Sequence, residues 1–190
     1  MDIRAPVFYY DLSSPECYLA AERMSLLALA PEWEPVLGSW RGLGGDGVDL
    51  GPEPARADVE RLARERGLQA IRWPARWPPD SQLAMRTAVY AKSIGRATAF
   101  SLAAFRQAFA AGRDLHDMDT IVIAAAACEM HPAAVIKAVG LQSVARALKE
   151  ANARAVGAGV RRLPAICVGG FVYEGESRMD QAAASLAARV

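Results

Sequence analysis

The run Val7-Phe8-Tyr9-Tyr10-Asp11-Leu12-Ser13-Ser14-Pro15-Glu16-Cys17-Tyr18-Leu19-Ala20 constrains this chain most: a short β-like stretch feeds straight into a helix opened by Ser-Pro. Aromatic and β-branched residues suit a pleated, half-buried strand. Pro15 fits the first helical position, because its missing N–H would be an orphan there and its φ is already helical. Ser14 is then the N-cap. The first four N–H groups of a helix lack intrahelical acceptors and carry part of the macrodipole. A hydroxyl at that end stands where an anion, a phosphate or a thiolate is stabilised. The same residues also make a plain helix start, with Ser13 and Glu16 readable as a capping box.

Periodicity and breakers place the other elements. Pro6 to Asp11 reads as the first strand, Ser14 to about Ala30 as the first helix and Glu34 to Trp40 as the second strand. Gly42 to Gly47 and Gly51-Pro52-Glu53-Pro54 form a glycine-rich loop. Helical pattern then runs from Ala57 to about Gly157, as Asp58–Arg66, Ser81–Ile94, Ala97–Ala110, Asp119–Cys128, Pro132–Val139 and Leu141–Val156. Ala165–Val168 and Phe171–Tyr173 flank Gly169-Gly170 as a hairpin, and a helix from about Arg178 to Arg189 ends the chain. This order predicts an α/β, thioredoxin-like fold, residues 1–56 and 158–190, interrupted by an all-helical insertion, residues 57–157. Pro164 at a strand entry cannot donate a ladder bond, and an X–Pro bond is where a cis peptide is affordable.

Composition excludes several functions. The 190 residues are 53% hydrophobic with a formal net charge of +1, enough for a sizeable core and without a basic footprint for nucleic acid. The start Met1-Asp2-Ile3-Arg4 lacks a secretory pattern, and Ile121 to Cys128 is too short to span a bilayer, so a cytoplasmic, membrane-free protein is expected. Cys17, Cys128 and Cys167 form no Cys-x-x-Cys pair and, with only His116 and His131, no metal site is expected. Cys128 reads as a core residue and both histidines as surface or cap residues. The glycines match no phosphate-binding fingerprint.

The Ser-Pro-x-x-Tyr-Leu-Ala start, the helical insertion, the strand-entry proline and Phe171-Val172-Tyr173-Glu174-Gly175-Glu176-Ser177-Arg178-Met179 together resemble the 2-hydroxychromene-2-carboxylate isomerases and kappa-class glutathione transferases of the DsbA-like thioredoxin superfamily. The resemblance implies that Ser14 replaces the first cysteine of a Cys-Pro-x-Cys motif and contacts the sulfur of glutathione or a similar low-molecular-weight thiol. Such a thiol has a pKa of about 8.5, so a helix N-terminus that favours its thiolate raises its reactivity. In the isomerases, the resemblance implies addition of the thiolate to a conjugated double bond, rotation, and release, which regenerates the thiol. Leu163, before Pro164, is implied to pair its backbone with the cysteinyl part as an added strand.

Where the family has Gly-x-Asp-Arg for the glutamyl end, this chain has Gly175-Glu176-Ser177-Arg178. Ser177 takes the aspartate's place, with Glu176 as a substitute charge, or else serves only as the N-cap of the last helix. Arg41 to Pro54 lacks the family's asparagine and lysine. Cys17 falls on the second cysteine of the oxidoreductase motif, but with Ser14 ahead of it no dithiol forms. The segment from Arg72 to Ser81 resembles the loop into the insertion. Its Arg72, Trp73 and Trp77 suit an aromatic carboxylate, or else cover a domain interface. A homodimer is implied. Two other functions remain open: a one-cysteine oxidoreductase using Cys17 or Cys167, and a non-catalytic small-molecule-binding protein.

Overall fold

The computed structural model describes residues 5–27, 29–39 and 47–188. Trp40 and the stretch from Arg41 to Asp46, expected to end the second strand and form part of the loop, lie outside these residues, as does Arg189. A mixed sheet has the order β2-β1-β3-β4, from β1 (Val7–Tyr10), β2 (Glu32–Pro35), β3 (Ala165–Val168) and β4 (Phe171–Glu174). β1 runs parallel to β2 and antiparallel to β3, and β4 returns antiparallel to β3. The α/β, thioredoxin-like sheet expected from the element order is therefore present. Gly169 and Gly170 both have positive φ, 56° and 83°, which a two-residue hairpin turn matched to strand twist requires.

Phe8 and Tyr10 stack at 5.5 Å, and Trp33 of β2 meets their rings edge-on at 5.0 and 5.3 Å. Each such pair contributes about 0.5–1.5 kcal/mol beyond its buried area. β2 begins two residues before the expected Glu34 and ends at Pro35, which has no N–H to continue the ladder. The chain nevertheless stays extended. Val36 N–H donates to the Tyr10 carbonyl, and the Asn152 side chain exchanges hydrogen bonds with both backbone groups of Leu37.

Helix α1 (Pro15–Arg23) is shorter than its apolar pattern suggested. It gives way to turns from Met24 onward because the chain must reverse to lay Glu32 against Pro6, and Pro31 disfavours helical backbone just before it. α2 (Arg56–Glu65) packs on α1. The remaining insertion helices are α3 (Gln82–Ser93), α4 (Ala97–Phe109), α5 (Met118–Ala126), α6 (Pro132–Val139) and α7 (Gln142–Gly157). Fully buried Ala84, Ala88 and Ala91 on α3 and Ala104 and Ala108 on α4 let these backbones approach closely around Met85, Phe100, Phe105 and Phe109. α4 crosses α1, while α3 and α7 lie against β2. A 3-10 turn at Glu176–Arg178 leads into α8 (Met179–Ala187), which covers β3 and β4.

The Leu163–Pro164 peptide is cis, and so is Trp77–Pro78. A short strap, Val48 to Leu50, bridges two otherwise separate stretches: Asp49 pairs in parallel with Ser39 on one side and with Arg162 on the other.

Candidate functional site

Ser14 caps α1. Its extended backbone (φ −91°, ψ 119°) turns the hydroxyl oxygen to accept the Cys17 N–H at 3.2 Å, and its carbonyl accepts from Tyr18 N–H. The residue is buried, at 1% exposure. Ser13 does not form a capping box. Its N–H and hydroxyl both donate to Asp11 Oδ1 at 2.8 Å, while Glu16 turns away to Arg162. Asp11 Oδ2 accepts the Gly38 N–H at 2.8 Å, and the Ser81 hydroxyl also reaches the carboxylate. Burial pushes the Asp11 carboxyl above the ordinary range, and these donors oppose the shift. Asp11 thus ties the start of α1 to the exit of β2 and the entry of α3. Its place two residues before Ser13 is an Asx-turn signal that sequence reasoning passed over.

Cys17 is fully buried, and burial pushes its thiol far above the ordinary range. Cys128 is buried in the insertion, its thiol donating to the Ala124 carbonyl. Cys167 is half-buried on β3, and all three cysteines are free thiols. Among the described residues no cluster of His, Cys, Asp and Glu could hold a metal ion. His131 is an N-cap whose Nδ1 accepts from Ala133 N–H, and His116 lies on the surface beside Asp80.

Beside the first turns of α1 and α2 lies a cleft of about 390 Å³, bordered by Glu16, Leu19, Val59, Arg162 and Gly175 to Ser177. Arg162 reaches the Glu16 carboxylate at 3.2 Å. Burial raises the Glu16 carboxyl above its ordinary range, against the pull of Arg162. The Arg162 Nε is itself buried without a hydrogen-bond partner. Ser177 is exposed at the rim and is not the N-cap of the last helix, a position Arg178 holds. Glu176 is nearly buried and already neutralised, with Arg23 at 2.7 Å and Arg66 at 2.6 Å.

Leu163 is fully buried, and its N–H donates to the Asp49 carbonyl at 2.9 Å, while Asp49 N–H donates to the Arg161 carbonyl at 2.8 Å. The strap therefore uses the backbone edge that the resemblance assigns to a cysteinyl residue. For a tripeptide thiol the fit is divided. Arg162 and Ser177 offer donors to a carboxylate, and Ser14 stands at the helix end. The Leu163 N–H and the Glu176 charge are already committed within the chain.

The tryptophans of the loop before α3 come together. Trp73 and Trp77 pack edge to face at 4.8 Å, both within 6.4 Å of Phe109, whose ring stacks at 5.5 Å on Tyr18 of α1. The Trp73 indole N–H donates to Glu60 at 2.8 Å and that of Trp77 to Glu53. Arg72 does not lie over either ring: it is exposed, its N–H donates to the Phe109 carbonyl, and its Cβ lies 3.2 Å from where a Cβ on Gly112 would be. Arg56 takes that place instead, its guanidinium carbon 5.0 Å from the Trp73 ring and 5.8 Å from the Trp77 ring. The spacing Glu53, Arg56, Glu60 around the start of α2 is the only sequence trace of this arrangement.

The family model for the DSBA-like thioredoxin domain matches residues 7–187. No curated protein matches the sequence. Among solved structures, a 2-hydroxychromene-2-carboxylate isomerase is similar with a TM-score of 0.81 at 17% identity, over 98% of this chain and 96% of that one. A probable DsbA oxidoreductase from Streptomyces coelicolor gives 0.72 at 19% identity, over 98% and 91%. The cytosolic disulfide reductase DsbM from Pseudomonas aeruginosa, solved with GSH, gives 0.66 at 12% identity, over 98% and 97%. At such identities the likeness is one of fold. With the sheet order, the interrupting helices and a family match over nearly its whole length, this chain belongs to the DSBA-like thioredoxin domain family.

Proposed function

We propose that this protein is a thiol-dependent isomerase of the 2-hydroxychromene-2-carboxylate isomerase type, which takes its sulfur from glutathione or a similar small thiol and acts on an aromatic, conjugated carboxylate. The observation that carries this reading is the pairing of Ser14 at the α1 N-terminus with a Cys17 that is fully buried and whose thiol burial keeps protonated. A DsbA-like exchange needs an accessible thiolate at this helix end. Here the chain offers a hydroxyl there, so the nucleophilic sulfur comes from outside. Bound thiol supplies that sulfur. Ser14 and the α1 dipole hold its charge, while Arg162 and Ser177 offer donors to a carboxylate of the thiol's peptide end.

A second reading, a small-molecule-binding protein without catalysis, is favoured by the committed Leu163 N–H and the neutralised Glu176. Turnover of 2-hydroxychromene-2-carboxylate with and without glutathione separates the two, measured on the purified chain, on Ser14→Ala and on a variant lacking all three cysteines. Glutathione-dependent turnover that survives in the cysteine-free variant and collapses in Ser14→Ala is expected. Turnover that follows the cysteines instead would return the protein to the oxidoreductases, and no turnover with any thiol would favour the binding reading. The expected homodimer is tested on the same sample by sedimentation.

A further inference from the structure

We infer that Arg56, on the first turn of α2, is the residue that receives the carboxylate of an aromatic substrate and so determines specificity for acids. The inference deepens the isomerase reading and names the feature of its substrate that this chain selects. Arg56 is exposed, and its guanidinium lies over both Trp73 and Trp77. It makes no hydrogen bond or ion pair with a described residue, so its donors are free for a ligand. The acids on either side of it are otherwise engaged: Glu60 and Glu53 each accept an indole N–H, which fixes the two rings at right angles. A planar guanidinium pre-positioned on aromatic faces presents its fork to a carboxylate, while the Trp73 indole offers apolar surface to the ring that carries it.

The platform is connected to the helix end where Ser14 sits. Trp77 is followed four residues later by Ser81, a span of at most about 14 Å, and the Ser81 hydroxyl reaches the same Asp11 carboxylate that holds Ser13. On the other side, Phe109 touches both tryptophans and stacks on Tyr18, whose N–H bonds to the Ser14 carbonyl. The aromatic platform is thus joined to the first turn of α1 from two sides, through Ser81 and through the Phe109–Tyr18 stack.

The test is calorimetric titration of the purified protein, without thiol, by three ligands of one skeleton: cinnamate, cinnamamide and cinnamylamine. Cinnamate is expected to bind at least about tenfold more tightly than the amide, the scale of a charge-assisted hydrogen bond. Arg56→Gln should bring that ratio to within about twofold, Arg56→Lys should leave an intermediate ratio, and Arg72→Gln should leave it unchanged. Unaltered far-UV dichroism of the variants keeps the comparison free of folding effects. Equal binding of acid and amide, tighter binding of the amine, absence of cinnamate binding, or a ratio that follows Arg72 rather than Arg56 would each overturn the inference. Because no thiol is present, these outcomes are independent of glutathione-dependent turnover, which tests the isomerase reading separately.

Discussion

Two neighbouring serines at the head of α1 do different work, and their substitutions should part company. Ser14 holds one orphan N–H, so Ser14→Ala should cost about 0.5–2 kcal/mol of stability and remove most thiol-dependent turnover. Ser13 donates twice to a buried carboxylate. Ser13→Ala takes away one of those donors and should cost about 1–3 kcal/mol while leaving turnover largely intact. Denaturant unfolding and turnover of both variants check this, and equal effects on turnover would remove the special place given to Ser14. The cap was legible because Ser before Pro at a strand-to-helix junction has few other uses. Asp11 was not, since two of its partners, Gly38 and Ser81, come from distant stretches that only the tertiary fold brings to it. Arg56 was not legible for a similar reason: adjacency in sequence says nothing about which arginine lies over the Trp73 ring.

At the scale of elements, the last turn of α1 and the first turn of α8 are joined by charge. Arg23 bonds both Glu176 and Asp180, and Arg66 from just beyond α2 completes the group. Arg23, chiefly through its hydrogen bond, holds the Asp180 carboxyl below its ordinary value of 3.8. A carboxyl lowered on folding contributes stability that is fully present above its unfolded value and is lost as pH falls through its folded one. Asp180→Asn should therefore melt below the wild type at neutral pH, and the gap should close as the solution is acidified from the ordinary aspartate value downward. A gap that stays constant with pH would show that the pair does not hold α8. Glu176, which the family resemblance offers as a substitute charge for an amine, is paired in this joint with Arg23 and Arg66. Helix positions were read well where alanine-rich periodicity ran between glycine and proline breakers, as in α4 and α6. The end of α1 was read poorly because Leu26 and Leu27 continue the apolar pattern past the point where the chain must turn, and Leu26 ends up 80% exposed.

At the scale of the whole molecule, polar contacts supplement the apolar core that sheet and insertion share: Tyr10 with Ser101 at 2.6 Å, Glu34 with Lys92 and Arg154, and the Asn152 clamp on Leu37. None of these was visible in the sequence, whereas the order of strands and helices, and with it the fold, was, because that order follows from local pattern and leaves few topologies to choose from. The strap bears on the molecule as a whole in another way. Leu50 packs so closely on Gly38 that a Cβ there would meet its Cδ2 at 2.7 Å, so Gly38→Ala should unseat the strap at a cost of about 1–3 kcal/mol and loosen the Arg161–Leu163 edge. Faster hydrogen exchange at the Leu163 amide in that variant checks this; unchanged exchange would show that the strap is held by more than Leu50. An extended ligand pairing with Leu163 would thus face a rival from the same chain whose local concentration does not fall on dilution. Its apparent affinity would be its intrinsic affinity scaled by the fraction of molecules in which the rival has let go, so the tightness of a packing contact at Gly38 would set the threshold concentration for any ligand that pairs there.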